Sequence, residues 1–427
     1  MATTAAAGVA VALVLSACST SSQGSSAGPS ASKSSGSQTN DSPGGAAGSS
    51  SSSAPSTSTT TSKPGSKSTA PSTKPPPPTN PISIPQSGGK AINPKAPIVV
   101  SAKSGTLTAV NVTNAAGVRV TGDFTGANTK WASNEPLGYG KTYKIIATGS
   151  AHGTPAQQTG SVTVINPTNT TYPNFVPPPS QTSIGVGQPL VVRFDKNIPD
   201  KKAAEKTLKV TTSPPQPGAW YWISAQQVDY RAQSFWQPGT KIHLEVNDYG
   251  ASLGGGMYGQ EDRTVDRTVH DSWIAKADGA THSMEIYRNG VPVKSMPVSI
   301  GDKANPTHIG THVIQAKYQN YTMNSCTFGL CPPDPGAYIA KERWTERISN
   351  DGEFVHENPK SVGAQGNTNV SHGCINLNEA NAIWFYNHFG LGDVVEVSNS
   401  GGQALPLDDT YGDWAVPWST WSQGNSS

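Results

Sequence analysis

The chain has little charge, little cysteine and no long apolar run. Charged residues make up 14% of its 427 positions, where about a quarter is usual. Residues 96–427 carry a net charge of −3 and no basic stripe, which argues against a nucleic-acid partner. No apolar stretch reaches the length of a bilayer-spanning helix. What is plentiful is Gly (44) and Pro (35), and with Ser and Thr they dominate the residues before 96. That part cannot bury enough apolar surface to offset its ordering entropy. The remaining residues, about 330, suffice for three compact domains.

From Pro97 to about Pro167, short β-rich runs such as Leu107–Val110, Val118–Thr121, Tyr143–Ala147 and Val162–Val164 alternate with turn residues. This is the spacing of a small β-sandwich. Residues 168–268 repeat the character with Leu190–Phe194, Leu208–Thr212, Ala219–Ser224, Val228–Ala232 and Lys241–Val246, which predicts a second sandwich. Neither stretch collects a nucleophile, a base and an acid. A third unit starts near Val269. Its runs Ser283–Arg288 and Val291–Ser299 flank Asn289-Gly290, a hairpin signal because both turn positions need positive φ. Strand-like runs follow at His312–Ala316, Glu346–Ile348, Phe354–His356 and Val394–Val397. The one clear helix is Glu379–Phe389, with Asn378 as N-cap and Gly390 as its stop. The expected fold is mainly β: two sandwiches at 96–167 and 168–268, then a β-rich domain at 269–398 with one helix beside its reactive segment. A tail at 399–427 packs Trp414, Trp418 and Trp421 back onto a neighbouring domain.

Residues Ala5–Leu15 form an apolar stretch of signal-peptide length, ending in Leu15-Ser16-Ala17-Cys18. This resembles the bacterial lipobox, in which the cysteine is lipidated. An ordinary cleaved signal with an incidental Cys18 is the alternative. No Lys or Arg precedes the run, a departure from the usual basic start. The expectation is a lipoprotein signal over 1–18 and a disordered spacer over 19–95. The protein would be exported and anchored by lipid to the outer face of the cell membrane.

Four cysteines in an exported chain must each be accounted for. Cys326 and Cys331 sit five apart in a loop with Gly329, Pro332 and Pro333. A local disulfide fits an oxidising compartment, and two free thiols are the alternative. Cys374 is left alone. Its segment, Ser371-His372-Gly373-Cys374-Ile375-Asn376-Leu377, runs at once into the helix. An imidazole and a helix N-terminus both stabilise a thiolate, and Gly373 lets the backbone turn so that the Cys374 amide meets a developing oxyanion. His356 supplies a second imidazole. Cys with His is a nucleophile–base pair, and from spacing alone either histidine could be the base.

The run from His356 to Ser371-His372-Gly373-Cys374-x-Asn376 resembles the active-site signature of the L,D-transpeptidases of the YkuD fold. The likeness extends through Ser361-Val362-Gly363-Ala364-Gln365-Gly366, Trp384-Phe385-Tyr386 and Gly392-Asp393-Val394-Val395-Glu396-Val397. It is similar to the mycobacterial branch, which sets immunoglobulin-like domains before the catalytic one, and it covers residues 97–427. The resemblance implies that Cys374 is the nucleophile and that His356, oriented by the Glu357 carbonyl, accepts and donates the proton. It implies hydrogen-bonding support from Ser371 and His372, and a pocket floor shaped by Gly373 and Asn376. Tyr338 would line the substrate pocket and oxyanion region, with the Asp351-Gly352 backbone along the substrate and Met323 and Phe328 in a lid. Asp351, where relatives carry a small neutral residue, and the Cys326/Cys331 pair in the lid are departures.

The implied reaction is 3→3 cross-linking of peptidoglycan, from a donor tetrapeptide stem to an acceptor stem through a cysteine thioester. Water as acceptor would make the chain a carboxypeptidase. A lipid-anchored wall-binding protein without catalysis is the alternative from another class. No metal or organic cofactor is implied, and carbapenems are implied inhibitors. His308-Ile309-Gly310-Thr311-His312 has the i,i+4 histidines of a zinc helix, but it lacks the Glu of a metalloprotease motif and carries a mid-segment Gly. It reads as strand, so no metal site is expected.

Overall fold

The computed structural model describes residues 80–426 apart from Pro335. The expected signal with Cys18, and the spacer up to residue 79, lie outside the described residues. Ordered pairing starts before residue 96. Ile82–Ser83 runs antiparallel to Val99–Ala102, and Ile82 and Ile84 are buried. Two isoleucines set between prolines carry no weight in a composition count, yet they close the edge of a core. The expected spacer boundary at 95 therefore falls inside the first sandwich.

In that sandwich the sheet Ile82–Ser83, Val99–Ala102, Lys130–Ser133, Gly122–Thr125 and the sheet Thr106–Asn114, Thr142–Ala151, Thr154–Thr163 share a core of Ile98, Val100, Leu107, Val112, Trp131 and Ile145. The second sandwich pairs Ser183–Ile184, Arg263–Val269, Lys241–Val246, Leu208–Ser213 in one sheet. Gly218–Trp222, Gln227–Ala232, Leu190–Phe194, Pro173–Val176 form the other. Phe194, Trp222, Val228, Trp236 and Leu244 fill it.

The third domain holds two sheets. Five strands run in the order Val291–Pro297, Ser283–Arg288, Trp273–Asp278, Val394–Ser398, Gly310–Val313. Four run as Ala316–Asn324, Ile339–Arg347, Phe354–Glu357, Ile375–Leu377. The hairpin read from Asn289-Gly290 forms, with φ of 50° and 79° at the two turn residues. The run His312–Ala316, expected as one strand, is instead divided between the sheets: Gly310–Val313 ends in one and Ala316–Asn324 opens the other. Ala275, Ile286, Met296, Val355, Ile375 and Val395 fill the core. The helix Glu379–His388 joins them through Ala382 and Phe385. It stops one residue before the expected end, with Phe385 stacked on Phe389 at 3.9 Å.

Backbone contact joins the second sandwich to this domain. The Gly185 and Gly187 amides donate to the Leu391 and Gly392 carbonyls at 2.8 and 2.9 Å. A Cβ on Gly185 would lie 2.2 Å from the Gly392 carbonyl carbon, so this approach demands glycine. The tail packs back as the tryptophans suggested. Trp414 Nε1 donates to the Gly187 carbonyl and Trp421 Nε1 to that of Ala219, both at 2.8 Å. The Arg231 guanidinium of the sandwich lies over the rings of Trp414, Trp418 and Trp421 at 4.7, 5.5 and 4.6 Å.

Candidate active site

The cleft of the third domain is built on two short parallel strands. Phe354–Glu357 pairs with Ile375–Leu377, His356 opposite Asn376. This register carries His356 to the loop that ends in Cys374, although 18 positions separate them. Both residues are buried. His356 Nδ1 donates to the Glu357 carbonyl at 2.7 Å, which leaves Nε2 as the nitrogen free to exchange a proton. Cys374 is close enough to His356 to act on its charge, and its Sγ lies 3.6 Å from the Gly352 carbonyl oxygen. Burial works against charge on His356. Cys374 and Glu342, with the negative charge on both, outweigh it and push the imidazole up to about 10. The imidazolium form of His356 is the state this favours.

The loop 371–374 is held by short polar contacts. Ser371 Oγ donates to the Cys374 carbonyl at 2.6 Å and accepts from the Gly373 amide at 3.2 Å. Thr307 Oγ1 donates to the Gly373 carbonyl at 2.7 Å. Gly373 sits at φ 114°, where a side chain would be strained. His372 was expected to share this hydrogen bonding. It is exposed instead, its ring 6.0 Å from that of Tyr338, and Ser371 and Thr307 hold the loop. Nor does the helix start at the thiol. Three strand residues intervene, and a helix dipole acts only within its first turn, so the imidazole is the group that serves Cys374.

A cleft of about 540 Å³ opens over the pair, lined by Met323, Tyr338, Glu342, His356, Cys374 and Asn376 among others. Burial and then the charge of Cys374 push the Tyr338 hydroxyl up to about 12, so it remains a donor. Tyr338 is positioned through its amide, which donates to Ser325 Oγ at 2.8 Å. Met323 packs against Phe354 and Cys374. Cys326 and Cys331 form a disulfide around the turn Ser325–Phe328; the side chain of Phe328 is outside the described set. Asp351 is exposed, while the Gly352 carbonyl is at the nucleophile.

A match to a family model for the L,D-transpeptidase catalytic domain covers residues 272–397, and one to a bacterial Ig domain covers 89–252. L,D-transpeptidase 2 of Mycobacterium tuberculosis (strain CDC 1551 / Oshkosh) is 41% identical over 339 residues, 79% of this chain and 83% of that protein. The chain belongs to the L,D-transpeptidases. L,D-transpeptidase 5 of M. tuberculosis (strain ATCC 25618 / H37Rv) is 35% identical over 355 residues, 81% of this chain and 77% of that one. An L,D-transpeptidase solved in complex with imipenem is 28% identical with a TM-score of 0.47, over 53% of this chain and 99% of its own. The chain is thus a mainly β peptidoglycan L,D-transpeptidase, with an Ig-like region before its catalytic domain.

Two groups at this transpeptidase site were not singled out from sequence. Glu342 Oε2 lies 3.5 Å from His356 Nδ1 and lines the cleft. Tyr338, Ala340 and Glu342 all line it, so counting by twos from Tyr338 would have found the carboxylate. Thr307, 66 positions before the carbonyl it holds, left no such signal.

Proposed function

We propose that this L,D-transpeptidase forms 3→3 cross-links in peptidoglycan with Cys374 as nucleophile and His356 as proton shuttle. The observation that carries the reading is the buried His356–Cys374 pair at the base of the cleft, with Nδ1 occupied by the Glu357 carbonyl. Cys374 yields its proton to Nε2 and attacks the carbonyl carbon of the third residue of a donor tetrapeptide. A C–S bond forms and the carbonyl electron pair moves to oxygen. The Tyr338 hydroxyl and the Cys374 amide are the donors assigned to that oxyanion. On collapse the C–N bond breaks, and terminal D-Ala leaves with the proton from Nε2. The side-chain amine of the acceptor's diamino acid then attacks the thioester. Its proton passes through His356 to the departing sulfur. Asn376, the Asp351-Gly352 backbone and Met323 border the stem, and a carbapenem would acylate the same thiol. Ser371 and Gly373 keep the nucleophile loop in place, and His372 sits at the rim.

The anchor belongs to the same reading: lipid on Cys18 would hold the enzyme at the outer face of the membrane, and the spacer would let it reach the wall. One acyl chain binds marginally and two bind stably, so Cys18→Ala should appear in the soluble or secreted fraction. Retention on the membrane rejects the anchor. For the chemistry, incubation of the protein with purified disaccharide-tetrapeptide should give a cross-linked dimer by mass spectrometry. Cys374→Ala should give neither dimer nor carbapenem adduct at unchanged melting temperature. An adduct on Cys374→Ala rejects the nucleophile, and hydrolysis without dimer rejects cross-linking.

A further inference from the structure

A second cluster of reactive side chains lies behind the nucleophile loop, and the transfer chemistry makes no use of it. His308 precedes the strand Gly310–Val313, and Asp351 and Glu353 flank Gly352, whose carbonyl meets Cys374. His308 Nδ1 lies 3.1 Å from Glu353 Oε1 and 3.4 Å from Asp351 Oδ2. These groups offer one ligand atom each, all within 4.8 Å of one another.

Each carboxylate is also held from behind. The fully buried His312 places Nε2 3.1 Å from Glu353 Oε2. Ser349 Oγ donates to Asp351 Oδ1. For Asp351 the supported oxygen is not the one turned toward His308; for Glu353 His312 holds Oε2, while Oε1 also accepts from the His308 amide at 2.7 Å and keeps a second lone pair. A ligand atom facing inward with its partner oxygen fixed by a second residue is how metal sites orient their ligands. Charge supports a cation as well. Asp409 is a third carboxylate near Asp351 and Glu353, against the imidazoles of His308 and His312. His308 and Asp351 keep 22% and 45% of their side-chain surface, so an ion can reach the cluster from solvent.

We propose that His308 Nδ1, Asp351 Oδ2 and Glu353 Oε1 form a three-ligand site for a divalent cation of the zinc class. One imidazole with two carboxylate oxygens suits zinc, and an imidazole ligand discriminates against calcium. The i,i+4 histidine pattern was the wrong sign of it. His312 supports a ligand and is not one, and the two carboxylates come from 43 and 45 positions away. A cation there would fix the Asp351-Gly352 turn and hence the carbonyl that faces the nucleophile.

The test is equilibrium dialysis of the full chain against zinc and, separately, calcium under non-reducing conditions. A Cys374→Ala background removes the catalytic thiol as a ligand. One zinc per chain should be retained, and no calcium. Adding His308→Ala should weaken zinc binding by about tenfold or more, and Asp351→Asn, a same-shape change on an exposed side chain, should do the same. Zinc binding by those two variants equal to the parent overturns the site, as does no retained zinc in the parent. Equal retention of calcium overturns the imidazole as a ligand.

Discussion

Two joints of this molecule bury ionisable side chains, and they do so by opposite means. In the cleft, His356 is enclosed with Cys374 and Glu342, groups of opposite sign. Where the tail meets the second sandwich, Asp229 of the strand Gln227–Ala232 is enclosed with Asp413 of the tail turn Gly412–Ala415. Two carboxylates cannot both ionise there. Burial and then the Asp413 charge hold Asp229 far above the usual carboxylate range, and burial pushes Asp413 up to about 6. Asp229 Oδ1 and both Asp413 oxygens have no hydrogen-bond partner among the described residues, and the neutral carboxyl is the form that such burial favours. Opposite charges let a buried site stay ionised; like charges force it to neutralise. The first arrangement keeps a charged imidazole beside the nucleophile, and the second makes a joint.

The largest effect should come from removing the cleft's cation. His356→Ala should slow carbapenem acylation by about 10²-fold or more. His372→Ala, exposed beside Tyr338, should slow it far less. Stopped-flow acylation of the folded variants checks both. A near-normal His356→Ala with a dead His372→Ala would reverse the roles and dissolve the contrast.

Next in size is the carboxylate that sustains the charge. His356 stands at about 10 against an ordinary 6.5. Its contribution to stability is therefore fully present below about pH 6.5 and is lost as pH rises through about 10. Glu342→Gln keeps the shape and removes one of the two groups that raise it. The alkaline limb of the acylation rate should move to lower pH, with smaller changes at pH 7. An unmoved limb would mean that Cys374 alone holds the imidazolium.

What could be read from the chain follows the range of the interactions. Asn289-Gly290 and Asn378 act through their own backbone, and both elements formed where expected. The nucleophile segment was legible because its residues adjoin in sequence. The reading of its setting erred at Ile375–Leu377, since three residues are too few to show a period against the helix that follows. The His308–Glu353 contact and the Thr307–Gly373 bond join distant segments, and nothing local to either partner announces them. Glu342 lies between these cases. It was legible through strand alternation once Tyr338 was placed on the cleft wall.

The smallest expected effect sharpens the other side of the comparison. Asp413 folds at about 6, above its ordinary 3.8, so the native state holds an extra proton between these values. By linkage, stability falls as pH rises through that window and stays lower above it. Asp413→Asn removes one negative charge and supplies an amide that can donate to Asp229. The variant should melt at or above the wild type at pH 7, by an amount on the order of 2 kcal/mol or less, and the two should converge near pH 4. Melting curves across pH 4–8 decide it. A variant less stable at pH 7 with the wild-type slope intact would mean that the pair is not what titrates. The tail would then rest on contacts such as that of Arg231 with its three tryptophans, indifferent to pH over that range because a guanidinium does not lose its proton there.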